Sequence, residues 1–129
     1  MILLDTCALI WDALDRSKLT PDAINAIELN KHELQICDIS IWEISMLIKK
    51  KRLLVDGTSS EFINLILQSR NYLVQQITPE IAELSTNFGP GMNNDPADRL
   101  IAATSILGNA PVVTADENLR AATMLETIW

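Results

Sequence analysis

Short apolar runs alternate along the chain with longer segments in which apolar residues recur every three or four positions. The short runs are typical of buried strands, and the periodic segments are typical of amphipathic helices. Strands are predicted at 2–4, 34–37, 73–77, 111–114 and 126–129. Helices are predicted at 7–15, 20–31, 40–53, 60–71, 78–88, 96–107 and 118–124. This alternation predicts an α/β fold with a central, mostly parallel sheet and helices on both faces.

The helix boundaries carry recognisable signals. Thr20-Pro21 and Thr78-Pro79 each place a capping hydroxyl before a proline in the first helical turn. The run Gly89-Pro90-Gly91 breaks the chain before the helix that starts at Pro96. Because no repeat, linker or low-complexity segment interrupts the pattern, residues 1–129 are predicted to form a single domain.

The composition is that of a small packed protein. The chain has 129 residues, of which 48% are hydrophobic, enough for one core. No apolar run reaches the roughly 18 residues that a membrane span needs, and no basic leader precedes the first strand. Two cysteines, Cys7 and Cys37, favour reduced thiols over a disulfide framework. We therefore expect a cytoplasmic protein with no membrane association.

The net charge of −7 argues against a protein that holds nucleic acid by charge alone. That objection weakens if several carboxylates surround a cation, because the bound ion reverses the local field. One basic run is present, Lys49-Lys50-Lys51-Arg52, at the end of a predicted helix. Cations there favour the helix dipole, and contact with phosphate is the less favoured interpretation.

Four acids occupy equivalent places in the predicted architecture. Asp5 ends the first strand, Glu43 and Asp98 lie in first turns of helices, and Asp116 follows a strand. In a parallel sheet the functional crevice lies beyond the carboxyl ends of the strands, so these acids can converge. Carboxylates gathered in this way repel one another unless a cation neutralises them. Oxygen-only ligands favour a hard ion such as Mg²⁺.

Three of these acids also have local structural explanations. The spacing of Ser40 and Glu43 fits a capping box, in which Glu43 only returns to the backbone of the cap. Asp98 could favour the helix dipole, and Asp116 could cap the helix that follows it. Asp95, before Pro96, is interpreted as an N-cap. No such local role is apparent for Asp5.

The segment Asp95-Pro-Ala-Asp98-Arg99-Leu-Ile-Ala-Ala-Thr104, with Leu4-Asp5-Thr6, Trp42-Glu43 and Val113-Thr114-Ala-Asp116, resembles the PIN-domain family. In size and motif order the chain is most similar to the VapC-type toxins of bacterial toxin–antitoxin systems. The resemblance covers essentially the whole chain. It implies a three-layer α/β/α fold with a central mostly parallel sheet.

The resemblance also implies an activity, namely hydrolysis of RNA phosphodiester bonds with Mg²⁺ or Mn²⁺. The catalytic and metal-binding residues are then Asp5, Glu43, Asp98 and Asp116, and Thr114 orients the last acid or its water. It further implies a homodimer and a cognate antitoxin that inhibits the enzyme. The chain departs from the family pattern in lacking a histidine or basic residue just before Asp95-Pro96 and in its strong acidity.

Two other classes fit part of the pattern. A non-catalytic PIN-like module that binds RNA or protein would share the fold, but it would have no reason to keep four acids. A Mg-dependent phosphoryl-transfer domain also places acids at strand ends, but usually with a lysine at a later strand end, which is missing here.

Several other residues receive provisional roles. Arg99 is predicted to brace a neighbouring carboxylate rather than to contact phosphate. Asp12 and Asp15 are predicted to lie on a solvated helix face. The three tryptophans, including Trp42, are interpreted as core or interface residues rather than base-stacking platforms.

Overall fold

The computed structural model describes residues 1–129 in full. Five strands are formed: β1 (Ile2–Leu4), β2 (Leu34–Cys37), β3 (Leu73–Gln75), β4 (Val112–Val113) and β5 (Thr127–Ile128). Seven α-helices are formed: α1 (Thr6–Leu14), α2 (Pro21–Leu29), α3 (Ile39–Lys49), α4 (Ser59–Ser69), α5 (Pro79–Thr86), α6 (Pro96–Gly108) and α7 (Glu117–Ala121). A 3₁₀ turn at Arg16–Lys18 was not predicted from the sequence. The other elements match the predicted ones within a few residues at each end.

All five strands are parallel, in the order β3-β2-β1-β4-β5. The central strand β1 pairs with β2 on one side, where Leu4 is opposite Ile36, and with β4 on the other, where Leu4 is opposite Val113. The chain therefore extends the sheet in one direction through β3 and then returns to extend it in the other.

Alternate residues of the strands supply two cores, one on each face of the sheet. Ile2 and Leu4 point into a core completed by helices α1 to α4, whereas Leu3 points into a core completed by α6 and α7. This alternation follows from the two-residue period of a strand. The predicted three-layer α/β/α arrangement is confirmed.

Side-chain caps begin six of the seven helices. Each cap is an aspartate or threonine whose side chain accepts a hydrogen bond from a backbone N–H in the first turn. The six capping residues are Asp5, Thr20, Thr58, Thr78, Asp95 and Asp116. Helix α3 is the exception, because its cap residue Asp38 makes no such hydrogen bond.

Helix α3 ends earlier than the predicted 40–53. Lys51 adopts a left-handed conformation with φ of 58°, where a glycine is usually found. The Lys51 N–H donates to the Ile48 carbonyl at 3.0 Å, and the Arg52 N–H donates to the Leu47 carbonyl at 2.9 Å. These two hydrogen bonds form a Schellman motif, which satisfies the last carbonyls and turns the chain back at Arg52.

The prediction that Asp12 is solvated was wrong. Its side chain is fully buried, and Arg70 Nε lies 2.8 Å from Oδ2. The Tyr72 hydroxyl donates to the same oxygen at 2.7 Å. Arg16 Nε lies 3.3 Å from Oδ1, without the geometry of a hydrogen bond. Asp12 thus ties α1 to the segment that leads into β3, whereas Asp15 is exposed as predicted.

None of the helices has both the length and the apolar composition that crossing a bilayer requires.

Candidate active site at the carboxyl edge of the sheet

The strand order places the first and last of the predicted site acids beside each other. Asp5 directly follows β1, and Asp116 lies three residues beyond β4, the neighbouring strand. This is the position where the sheet changes its direction of growth, since β1 leads to β2 on one side while β4 lies on the other. In open α/β sheets, ligands bind at this switch point beyond the carboxyl ends of the strands.

Asp5 is only 6% exposed and is held by two neighbours. Its Oδ1 accepts a hydrogen bond from the Ala8 N–H at 2.8 Å, so it caps α1, a local role that the sequence analysis missed. Its Oδ2 accepts a short hydrogen bond from the hydroxyl of Thr114, which is fully buried. The same Thr114 oxygen accepts from the Asp116 N–H at 3.0 Å. Thr114 therefore orients the carboxylate of Asp5 as well as the backbone of Asp116.

Glu43 does not form the capping box considered above, because α3 begins at Ile39 without a side-chain cap. Instead its Oε1 accepts a short hydrogen bond from the Thr6 hydroxyl. Thr6 Oγ1 also lies 2.9 Å from the hydroxyl of Ser40, which is fully buried. Thr6 thus directs Glu43 toward the edge that carries Asp5, a role for which no sequence pattern provides a signal.

Asp98 lies in the first turn of α6 and does not cap it. The cap is Asp95, as predicted, whose Oδ1 accepts from the Asp98 N–H at 3.0 Å. The Asp98 carboxylate accepts a hydrogen bond from Asn93 Nδ2 at 3.0 Å. Asn93 belongs to the loop before α6, and nothing in the sequence marked it as a neighbour of Asp98.

Arg99 holds this loop in place. Its Nε donates to the Asn93 carbonyl at 2.8 Å, and Nη1 donates to the Ser85 carbonyl at 3.0 Å. The guanidinium also lies 6.0 Å from the centre of the Phe88 ring. The prediction that Arg99 braces a carboxylate was therefore wrong, because it braces backbone carbonyls and so fixes the loop that positions Asn93.

The four acids are close enough to act on one another's charge. Burial, opposed by hydrogen bonds and reinforced by Asp116 and Glu43, raises the pKa of Asp5 from 3.8 to about 6. Burial, with repulsion from Asp116, Asp95 and Glu43, raises the pKa of Asp98 to about 6. Burial also raises the pKa of Glu43. Negative charge is therefore concentrated at this edge.

The thiol of Cys7 lies near the same acids. After burial, the largest causes that raise the pKa of its thiol to about 11 are the charges of Asp5, Glu43, Asp116 and Asp98. One sulfur atom is thus within the field of all four predicted site acids. The four acids thus all lie near the carboxyl edge of the sheet, where the sequence analysis expected that they can converge.

The donor set suits a hard divalent cation. Glu43 Oε2, Asp98 Oδ1 and Asp116 Oδ2 accept no hydrogen bond from the protein, because only their partner oxygens are used. No three of the acidic, histidine or cysteine side chains form a ready-made metal cluster. Such a cluster is not needed for Mg²⁺, which typically takes one or two carboxylates and keeps several waters. The residues therefore fit this ion.

The raised pKa values predict a pH-dependent stability in the absence of divalent ions. Asp5 and Asp98 hold protons more tightly in the folded chain, so stability present below the unfolded pKa of 3.8 is lost as the pH rises through about 6. For the buried Asp5, the rise of the pKa from 3.8 to about 6 corresponds to a loss of about 3 kcal/mol in the free energy of unfolding. We expect the free energy of unfolding to fall over this range, as measured by urea titration in EDTA.

The variant Asp5→Asn tests the origin of this pH dependence, because asparagine keeps an oxygen that can cap α1. It should flatten the decline in stability between about pH 4 and 7. Asp22→Asn changes the charge equally at an exposed position and should leave the decline unchanged. A slope that is the same in Asp5→Asn and the unmodified chain would contradict the assignment.

The fold and this edge define the class of protein: the chain belongs to the PIN domain family, whose model matches residues 2–124. It is similar to Ribonuclease VapC22 from Mycobacterium tuberculosis, with 29% identity over 119 residues that cover 92% of this chain and 89% of that protein.

Two solved structures have a similar fold. A toxin–antitoxin complex from Klebsiella pneumoniae gives a TM-score of 0.68 at 21% identity, and the match covers 98% of this chain and 97% of that one. VapBC2 from Rickettsia felis, bound to a DNA fragment from its promoter, gives a TM-score of 0.68 at 20% identity with the same coverage. The predicted family membership is confirmed by the family match, and the predicted fold by these two structures.

Proposed function

We propose that this protein is a metal-dependent endoribonuclease and the toxin of a type II toxin–antitoxin pair. The observation that carries the proposal is the convergence of Asp5, Glu43, Asp98 and Asp116 at the switch point of the sheet, where their charges act on one another. The relative named as a ribonuclease supports the activity, and the toxin–antitoxin complexes of similar fold support the biological role.

The proposed cofactor is Mg²⁺ or Mn²⁺, and the four acids are its candidate ligands, some of them through the waters that the ion keeps. When bound, this ion acts as a Lewis acid that activates water and neutralises charge on the phosphate. The protein supplies the orientation. Thr114 fixes the Asp5 carboxylate, Thr6 fixes Glu43 and Asn93 fixes Asp98, so the free oxygens keep a defined direction. Pre-organised ligands of this kind lower the cost of reaching the transition state.

Incubation of RNA with the purified protein tests the proposal. We expect internal cleavage of single-stranded RNA in Mg²⁺ or Mn²⁺ and its loss in excess EDTA, with recovery when the ion is restored. Asp98→Asn carried through the same purification serves as the control for contaminating nuclease, because any contaminant stays active in that preparation. Cleavage at an equal rate in EDTA would overturn the metal dependence, and intact RNA under all conditions would leave a binding module instead.

The proposal extends to partners and location. Residues 1–129 are proposed to act as one domain, as a homodimer in the cytoplasm, with RNA as substrate and a cognate antitoxin as inhibitor. The antitoxin is supported by the toxin–antitoxin complexes of similar fold.

A further inference from the structure

A groove adjoins the acidic edge on the side of α3. It has a volume of about 690 Å³ and is lined by residues of α1, α3 and the turn after α3, together with the start of α6. The residues that matter here are Thr6, Trp42, Glu43, Met46, Lys50 and Arg52. Because Glu43 and Thr6 belong to both surfaces, the groove opens directly from the proposed active site.

The far end of this groove is basic. Lys50 and Arg52 line it, both are exposed, and neither forms a salt bridge. The left-handed Lys51 reverses the chain, so that Arg52 returns beside the last turn of α3, where its N–H bonds the Leu47 carbonyl. Lys49 and Lys51 belong to the same basic run but do not line the groove. The fold therefore selects two of the four cations for this surface.

An exposed aromatic ring also lines the groove. Trp42, interpreted from the sequence as a core or interface residue, is 58% exposed and is therefore not a core residue. It precedes Met46 and Lys50 at intervals of four residues, and such residues share one face of a helix. A free indole beside two unpaired cations is the combination with which proteins hold single-stranded nucleic acid, by stacking bases and neutralising phosphates.

We propose that this groove binds the single-stranded RNA that flanks the cleaved bond, with Lys50 and Arg52 on phosphates and Trp42 against a base. The inference rests on the proposed function for its class of substrate. Lys50 lies seven positions after Glu43, which is about 10 Å along a helix. That length corresponds to about three stacked nucleotides at 3.4 Å each.

Continuity with the acidic edge favours RNA over an acidic peptide as the occupant. A strand whose scissile phosphate lies at the four acids must leave across an adjoining surface, and this groove begins at Glu43. The chain's charge of −7 repels RNA elsewhere, so a local pair of cations has a large effect on binding. The basic run thus acquires a role beyond favouring the dipole of α3.

A matched pair of double variants tests the proposal. Binding of a fluorescent, unstructured RNA of about 12 nucleotides is measured by anisotropy in EDTA at several salt concentrations. We expect Lys50→Gln with Arg52→Gln to weaken binding about tenfold and to reduce the salt slope by about 1.4, which is 0.7 for each phosphate contact. Lys49→Gln with Lys51→Gln removes the same charge and should stay within about twofold.

The aromatic contact is tested separately. Trp42→Leu should weaken binding about tenfold while leaving the salt slope unchanged, because stacking neutralises no phosphate. Equal losses in both double variants, or no loss in either, would overturn the groove assignment. If binding of a glutamate-rich peptide, but not binding of RNA, depended on Lys50 and Arg52, the RNA assignment would also be overturned. The groove would then be assigned to an acidic protein segment.

The two proposals fail in distinguishable ways. If the groove assignment fails while the proposed function holds, Lys50→Gln with Arg52→Gln cleaves RNA in Mg²⁺ with unchanged KM and kcat. If the proposed function fails while the groove assignment holds, RNA binds with the expected dependence on these cations but is never cut. If both proposals hold, Lys50→Gln with Arg52→Gln has a KM about tenfold higher and a kcat little changed, because the two cations act away from the reacting phosphate.

Discussion

Asp98→Asn is expected to reduce RNA cleavage in Mg²⁺ by about a thousandfold or more, because it removes a proposed ligand for the ion that activates water. The fold should survive, since the α6 cap is Asp95 and asparagine keeps an oxygen for the Asn93 side chain. The measurement is the initial rate of cleavage of a defined RNA at saturating Mg²⁺. Circular dichroism and thermal unfolding establish that the variant is folded.

Asp22→Asn is the matched control for this loss. Asp22 lies in the first turn of α2, just as Asp98 lies in the first turn of α6, and each helix begins with proline. The control therefore makes the same change of charge and size in a first helical turn, at an acid that is not among the charges raising the pKa values of Asp5, Glu43 and Asp98. Cleavage by Asp98→Asn at a rate within tenfold of the unmodified chain would remove this residue from the proposed machinery.

Asp12→Ala is expected to lower the free energy of unfolding by about 3–5 kcal/mol, the usual effect of removing one partner of a buried ion pair. The change leaves the buried Tyr72 hydroxyl without its acceptor and leaves Glu28 as the remaining partner of the Arg70 guanidinium. Since domains of this size have about 5–15 kcal/mol in total, the variant should be only marginally folded. Urea-induced unfolding at neutral pH measures the change.

Two comparisons separate the ion pair from a general effect of charge. Asp15→Ala, at the exposed acid three residues away, removes only the local cap of a 3₁₀ turn and should lower the free energy of unfolding far less than Asp12→Ala. The double variant Asp12→Ala with Arg70→Ala should lose less than the two single variants together, because no buried charge is left unpaired. If Asp12→Ala proved no more harmful than Asp15→Ala, the buried network would have little energetic importance.

The sequence predicted most of the fold because its signals are local. Thr20-Pro21 and Thr78-Pro79 mark helix starts that the structure contains, and short apolar runs mark the strands. The end of α3 could not be predicted in the same way. The predicted helix extends to Leu53, whereas the residue that stops it is Lys51, in a conformation for which a sequence pattern predicts glycine.

The site was predictable only at the level of topology. Parallel strands bring their carboxyl ends to one edge, so the convergence of Asp5 and Asp116 followed from the predicted sheet. The groups that orient these acids were not predictable. Asn93 reaches Asp98 through the path of a loop, and Arg99 reaches Ser85 across 14 residues. Such contacts depend on tertiary packing, for which a single sequence has no periodic signal.

Two of the four acids also cap helices, and this second role determines which inactivating substitutions leave the fold intact. Asp5 and Asp116 cap α1 and α7, whereas Glu43 and Asp98 cap nothing. A random replacement at either of the first two disturbs a helix start together with the chemistry. Selection for folded but inactive variants of this chain would therefore favour substitutions at Glu43 and Asp98. A protein inhibitor would still recognise such variants, because their fold is unchanged.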